Sequence, residues 1–65
     1  MEKDHWNVEL RVHFERDGED DYSEDDYGFD SKAEAVSFAR DNASEVHDVL
    51  FYPKGTNSNP KSVDW

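Results

Sequence analysis

The chain of 65 residues contains no cysteine and no isoleucine, and it has only seven Lys and Arg residues against seventeen Asp and Glu residues. Without cysteine, neither a disulfide nor a thiolate metal site can stabilise a fold. The sequence also lacks an apolar run of the length that a signal peptide or a membrane span requires. We therefore expect a cytoplasmic protein without a membrane segment.

The shortage of cations excludes several classes of partner. The formal net charge is −10, and nucleic acid or an anionic membrane would repel such a chain. A basic protein surface is the expected complement. A single domain over residues 1–65 buries only about 60% of the surface that its unfolded chain exposes, so a large active-site cleft is not expected. A homodimer, which would add buried area, is left open.

Aromatic residues are the main source of a core, because the apolar fraction is only 34% and each aromatic side chain buries a large area. The surest element runs from residue 6 to residue 14, where apolar and polar residues alternate with a period of two. The apolar positions are Trp6, Val8, Leu10, Val12 and Phe14. This alternation predicts a half-buried strand.

Asp17 and Gly18 follow this strand, and an Asp-Gly pair is a strong hairpin signal because both residues tolerate positive φ. A two-residue turn would set Leu10 beside Asp25 and Phe14 beside Asp21, which directs two carboxylates toward the core. Because of this conflict, we predict an irregular acidic stretch that becomes a regular strand only at about Asp26.

A helix is predicted over residues 31–43. Ser31 and Glu34 match a capping box, and Asn42 is the nearest residue that can end the helix. The predicted apolar face consists of Ala35, Val36, Phe38, Ala39 and Ala43.

The remaining chain predicts one strand and a loop. Residues 46–52 combine β-branched and aromatic side chains, which is typical of a strand. Breaker residues over 53–61 predict a loop or a mobile segment. Beyond it, Ser62 to Trp65 form a short edge strand or pack back through Trp65. The expected fold class is α+β, a three- or four-stranded antiparallel sheet with one helix on one face, in the order ββαβ or ββαββ.

The most unusual segment is acidic. Residues 15–30 hold nine of the seventeen carboxylates and one cation, Arg16, a local charge of −8. Six of the acids lie within residues 19–26, which span about 27 Å when extended, or one charge per about 4.5 Å. Duplex DNA presents one charge per about 3.4 Å on each strand, so the two linear densities are comparable.

These numbers favour a surface that imitates DNA and binds a basic groove, with tyrosines as anchors that exclude water. The predicted partner-binding residues are Glu19, Asp20, Asp21, Tyr22, Glu24, Asp25, Asp26 and Tyr27. Two other interpretations remain: a solvated acidic loop, and a salt-adapted cytosolic domain whose acids serve solubility. A calcium loop of the EF-hand type is not supported, because Tyr22 or Asp26 falls where its glycine belongs.

No other chemistry is indicated. The three histidines do not fall in a metal-ligand spacing, the three glycines do not form a phosphate-binding loop, and Ser31 is explained by helix capping. We expect no catalytic residue, no metal and no cofactor, and therefore a protein that is not an enzyme.

The order of elements resembles that of small phage proteins that disable host machinery. The resemblance lies in Trp6-x-Val8 within the first strand, the Ser-capped helix SKAEAVSFARDNA and the closing strand VHDVLFYP. Two groups are similar: acidic DNA mimics, and compact sheet-and-helix inhibitors of bacterial RNA polymerase. The resemblance implies an inhibitor in the host cytoplasm. It also implies a basic DNA-binding partner such as a nucleoid protein, RNA polymerase, a nuclease or a repressor, without direct binding of nucleic acid.

Overall fold

The computed structural model describes residues 3–55 and 60–65. Its elements follow the order β1 (His5–Arg16), β2 (Glu19–Phe29), α1 (Lys32–Asp41), β3 (Val46–Tyr52) and β4 (Lys61–Ser62). The four strands form one antiparallel sheet in the order β2-β1-β3-β4, and α1 packs on one face of it. The predicted α+β class is confirmed, in its four-stranded ββαββ form.

The hairpin of β1 and β2 is regular along its whole length, so the prediction of an irregular stretch before Asp26 was wrong. Asp17 and Gly18 have positive φ values of 52° and 81°, as a two-residue turn of the I′ type requires. Pairing begins at Arg16 and Glu19 and continues without a shift to Trp6 and Phe29.

The predicted conflict with the core disappears because the helix is short. A ten-residue helix is about 15 Å long, whereas the twelve residues of β1 span about 40 Å. Leu10 is buried, and beyond it residues 12–23 are exposed except for half-buried Asp21. Asp25 faces Leu10 but lies on an outer strand, where its exposed carboxylate reaches water. The carboxylates that the register turns toward the helix side are therefore not forced into the core.

The helix begins as predicted and ends two residues early. Ser31 is the N-cap, and its Oγ accepts a hydrogen bond from the Glu34 backbone N–H at 3.2 Å. Asn42 closes the helix through its side-chain amide, which donates to the Phe38 carbonyl at 2.9 Å. Ala43, predicted on the apolar face, lies after the helix and is exposed, because the Asn42 cap ends the helical hydrogen bonding before it.

The third strand has the predicted bounds, and β1 pairs with it on the side opposite to β2. The register shifts between Glu9 and Leu10, so that His47 is an extra residue in β3. The last strand is shorter than the predicted 62–65 and begins at Lys61, the final residue of the segment predicted as a loop. Residues 56–59 of that segment lie outside the described residues.

The core lies at one end of the sheet, beneath α1. Its buried residues are Val8, Leu10, Ala35, Ala39 and Val49. Half-buried side chains surround this cluster, namely Trp6, Phe29, Phe38, Val46 and Val63. Trp6 stacks on Phe51 with ring centroids 4.9 Å apart. Ala35 and Ala39 are small, so α1 can lie close to the sheet. The aromatic rings lie around the margin of the core.

Candidate acidic edge strand

All eight predicted partner-binding residues lie on β2, which is an outer strand of the sheet. None of them is buried, and Asp21 alone among them is half-buried. The hairpin to which they belong carries nine carboxylates and two arginines over residues 5–29, a net charge of −7 with its histidines neutral. The acids thus lie on regular backbone at the border of the fold.

The strand divides these residues between two surfaces, since successive side chains point to opposite faces. We call the face that carries α1 the covered face and the other the open face. The open face receives Asp20, Tyr22, Glu24 and Asp26. The covered face receives Glu19, Asp21, Asp25 and Tyr27. Like-facing positions are about 6.6 Å apart, so either face is less densely charged than the single row of six expected from the sequence.

Tyr22 is the centre of a small cluster on the open face. The Arg11 guanidinium lies 4.4 Å from the centre of its ring, within the range of a cation–π contact. His13 packs on the same ring at a centroid distance of 5.7 Å. Arg11 also donates to Glu24 Oε1 at 2.9 Å. Tyr22 nevertheless remains 46% exposed, which leaves much of its ring accessible to a partner.

Tyr27 occupies a different environment on the covered face. Its ring lies 4.9 Å from that of Phe38 on α1 and is 43% exposed. Tyr27 therefore contributes to the packing of the helix while one side remains in solvent. Because Tyr22 and Tyr27 lie on opposite faces, a single flat surface cannot contact both of them.

Basic side chains lie near three of the six acids, and two of these side chains are arginines. Besides the Arg11–Glu24 pair, Asp21 lies 3.8 Å from Arg16, and Asp20 lies 3.5 Å from the His13 ring, which pairs fully only when protonated. Exposed pairs of this kind contribute about 0.2–1 kcal/mol each. Among the described residues, Glu19, Asp25 and Asp26 have no ion pair.

The open face also contains carboxylates that the sequence interpretation left out. Glu9 pairs in register with Asp26 on one side and with Asp48 on the other, so three acids form a row across three strands. The Asp48 carboxylate accepts hydrogen bonds from the Val49 backbone N–H at 2.9 Å and from the Ser62 hydroxyl. The alternation of β1 already placed Glu9 on the polar side; only the pairing of the strands was missing.

An apolar stripe continues along β1 past the core. Val12 and Phe14 lie on the apolar side that the alternation predicts, but they are 37% and 43% exposed. They lie on the covered face beyond Leu10, opposite Ser23 and Asp21. They remain exposed because α1 is too short to cover them. The outer part of the hairpin thus combines apolar and anionic groups on one surface.

No pocket and no group of three metal-ligating side chains occurs within the part of the chain that the structure describes. In the same residues, no helix is long and apolar enough to cross a membrane. What the site offers is an extended anionic edge with exposed aromatic rings. Comparison of the chain with protein families, with curated proteins and with solved structures finds no match.

Proposed function

We propose that this protein is a non-enzymatic acidic binding protein that imitates the charge of DNA and competes for a basic surface of another protein that normally binds nucleic acid. The observation that carries the proposal is the position of β2. Its six carboxylates lie on an outer strand, on both sides of a hairpin that extends past the helix. A basic groove can therefore receive the end of this hairpin, which carries Glu19, Asp20 and Asp21, without contact with α1.

The shape of the hairpin supports this role. Residues 12–23 form a two-stranded ribbon, which we call the distal ribbon. From Val12 to the turn it spans about 20 Å. A two-stranded ribbon fits a groove about 12 Å wide, the width of the DNA major groove, so a protein groove of similar width can receive it. Opposite charge would speed the encounter at low ionic strength, and the exposed Tyr22 and Phe14 would exclude water from the contact.

Capture of partners from a cell lysate on the tagged protein tests the proposal, with each captured protein then titrated with duplex DNA. We expect a partner with a basic nucleic-acid-binding surface, which DNA releases from the tagged protein in proportion to its concentration. A partner that lacks such a surface, or one that binds DNA and this protein at the same time, would contradict competition.

Charge variants locate the surface on the protein. The first variant replaces four β2 carboxylates by amides: Asp20→Asn, Asp21→Asn, Asp25→Asn and Asp26→Asn. The matched control removes four charges elsewhere: Glu34→Gln, Asp41→Asn, Glu45→Gln and Asp64→Asn. We expect the β2 variant to lose at least about tenfold in affinity at low salt, because several charge-assisted contacts disappear together. Equal losses in the two variants would assign the effect to net charge alone.

One observation favours a second candidate, a salt-adapted domain whose acids serve hydration. The row of Asp26, Glu9 and Asp48 places like charges in direct cross-strand register, which destabilises a sheet at low ionic strength. Unfolding followed as a function of KCl separates the two candidates. A protein that folds only in molar KCl fits salt adaptation, whereas one that is folded at low salt and releases its partner as salt rises fits mimicry.

A further inference from the structure

The backbone of β2 has one side without a partner strand. β2 is the outermost strand, and the described residues include no element that pairs with its far side. Within β2, alternate residues direct their N–H and C=O groups toward β1, and the others direct them outward.

The turn and the neighbouring strand determine which residues of β2 face outward. The pair that closes a two-residue turn, Arg16 and Glu19, exchanges both backbone hydrogen bonds. Arg11 donates its N–H toward the other side, to the Glu45 carbonyl at 2.7 Å, so the odd residues of β1 face β3 and the even ones face β2. The residues of β2 that face outward are therefore Asp20, Tyr22, Glu24, Asp26 and Gly28.

This edge lacks most of the features by which natural proteins block strand addition. Edges are usually protected by short strands, bulges or proline. β2 has eleven residues, no register shift against β1 and no proline. By contrast, β4 at the opposite border has two residues. One outward N–H, that of Tyr22, is occupied at 2.8 Å by the carboxylate of its neighbour Asp21.

Charge is the remaining feature that protects this edge from strand addition, and its effect depends on the charge of the added strand. A second copy of β2 would bring six carboxylates against six, because both faces of the strand are acidic, and like charges directly opposite are destabilising. The same carboxylates would attract an extended chain with Lys or Arg on both of its faces. A core strand of a folded protein does not have that pattern, whereas a basic arm of a nucleic-acid-binding protein does.

We infer that β2 recognises its partner by strand addition, in which an extended basic segment of another protein pairs with the outward backbone groups of residues 20–28. This inference rests on the proposed function, since the partner is the same basic protein, and it adds the form of the contact. Main-chain hydrogen bonds supply affinity in such complexes, and side chains supply specificity. The bound segment becomes a fifth strand beside β2 and pairs with residues 20–28 through its own main chain.

The probe is a peptide of nine residues, Lys-Lys-Thr-Thr-Lys-Lys-Thr-Thr-Lys, which carries Lys on both faces when it is extended. In ¹⁵N-resolved NMR at 150 mM salt, we expect slower hydrogen exchange at the backbone amides of Asp20, Glu24 and Asp26. The inward amides of Asp21 and Asp25, already bonded to β1, are expected to remain unchanged. The same peptide N-methylated at every backbone nitrogen keeps its charge and its lysine side chains but has no backbone N–H donors, and its binding is expected to fall at least about tenfold.

A matched pair of protein variants tests the same contact from the other side. Asp26→Asn removes a charge and keeps the outward N–H, whereas Asp26→Pro removes both, at a position where an edge strand tolerates proline. We expect Asp26→Asn to weaken peptide binding about two- to threefold and Asp26→Pro at least about tenfold. Circular dichroism and the unchanged amides of the core verify that both variants are folded.

Three outcomes overturn strand addition: no peptide binding, equal binding of the N-methylated peptide, or equal effects of the two Asp26 variants. None of these bears on whether DNA displaces the captured partner. Strand addition can thus fail while competition with DNA stands. If DNA does not displace the partner but the outward amides are protected by the peptide, the proposed function fails and the edge contact stands.

Discussion

The sheet has two halves with the same sequence pattern and opposite environments. In the half beneath α1, Val8 is completely buried and Leu10 nearly so. In the distal ribbon, Val12 and Phe14 continue the same alternation along β1 but are exposed. The difference comes from the length of the helix, not from the strand. Alternation therefore predicts which side of a strand is apolar, and the covering element decides how much of that side becomes core.

The two halves also differ in the source of their stability. The covered half has packed apolar side chains and a third strand beside β1. The pairing of β3 with β1 ends at Leu10, with one further bond from Arg11, so the distal ribbon consists of two strands. Isolated two-stranded ribbons are marginally stable in water. We expect the ribbon to open locally at a lower free energy than the rest of the protein.

Two identical substitutions on one strand give the largest expected contrast. Val8→Ala leaves a cavity beneath α1 and should lower the free energy of unfolding by about 2–3 kcal/mol. Val12→Ala removes the same atoms from an exposed site and should lower it by less than about 1 kcal/mol. Urea unfolding followed by tryptophan fluorescence measures both. Equal losses would mean that Val12 is covered in solution, and the contrast between the halves would be wrong.

The turn gives the next largest effect. Gly18 has a φ of +81°, a conformation that costs a residue with a Cβ about 1–2 kcal/mol. Gly18→Ala should therefore lower the protection of the ribbon amides in hydrogen exchange and leave those of Val8 and Val49 unchanged. Gly55→Ala is the matched control, since Gly55 has a φ of +73° outside the ribbon. If Gly18→Ala lowers protection equally in both halves, the ribbon is not a separate unit.

The sequence predicted the elements of the covered half well because each has a local physical signal. Alternation defined β1, Ser31 marked the start of α1, and the dense run of β-branched and aromatic residues defined β3. The prediction is wrong at β2. Asp17 and Gly18 form the turn that their chemistry indicates, and the strand that follows is regular. The predicted irregularity requires a core beside Phe14, but Phe14 is exposed because α1 is shorter than β1.

The charged residues of the candidate site were visible in the sequence, but their arrangement was not. Acid content located the strand that carries the charge, because charge density is visible in the sequence. The division of the acids between two faces depends on β2 being a regular strand, and the row from Asp26 through Glu9 to Asp48 depends on pairing between distant segments. The contact of Arg11 with Tyr22 needs the same register. Pairing between distant segments of the chain cannot be read from local sequence patterns.

The smallest effect expected concerns the open face behind the covered half. Glu9 lies between Asp26 and Asp48 in register, so Glu9→Gln should raise the free energy of unfolding by about 0.5 kcal/mol at low salt. The gain should shrink in 1 M salt, where the Debye length is about 3 Å.

Glu34→Gln is the control of opposite sign, because Glu34 lies in the first turn of α1, where a negative charge is favourable. Urea unfolding at both salt concentrations measures the two variants. A loss of stability in Glu9→Gln would show that the row of acids is not repulsive, and the case for salt adaptation would lose its structural support.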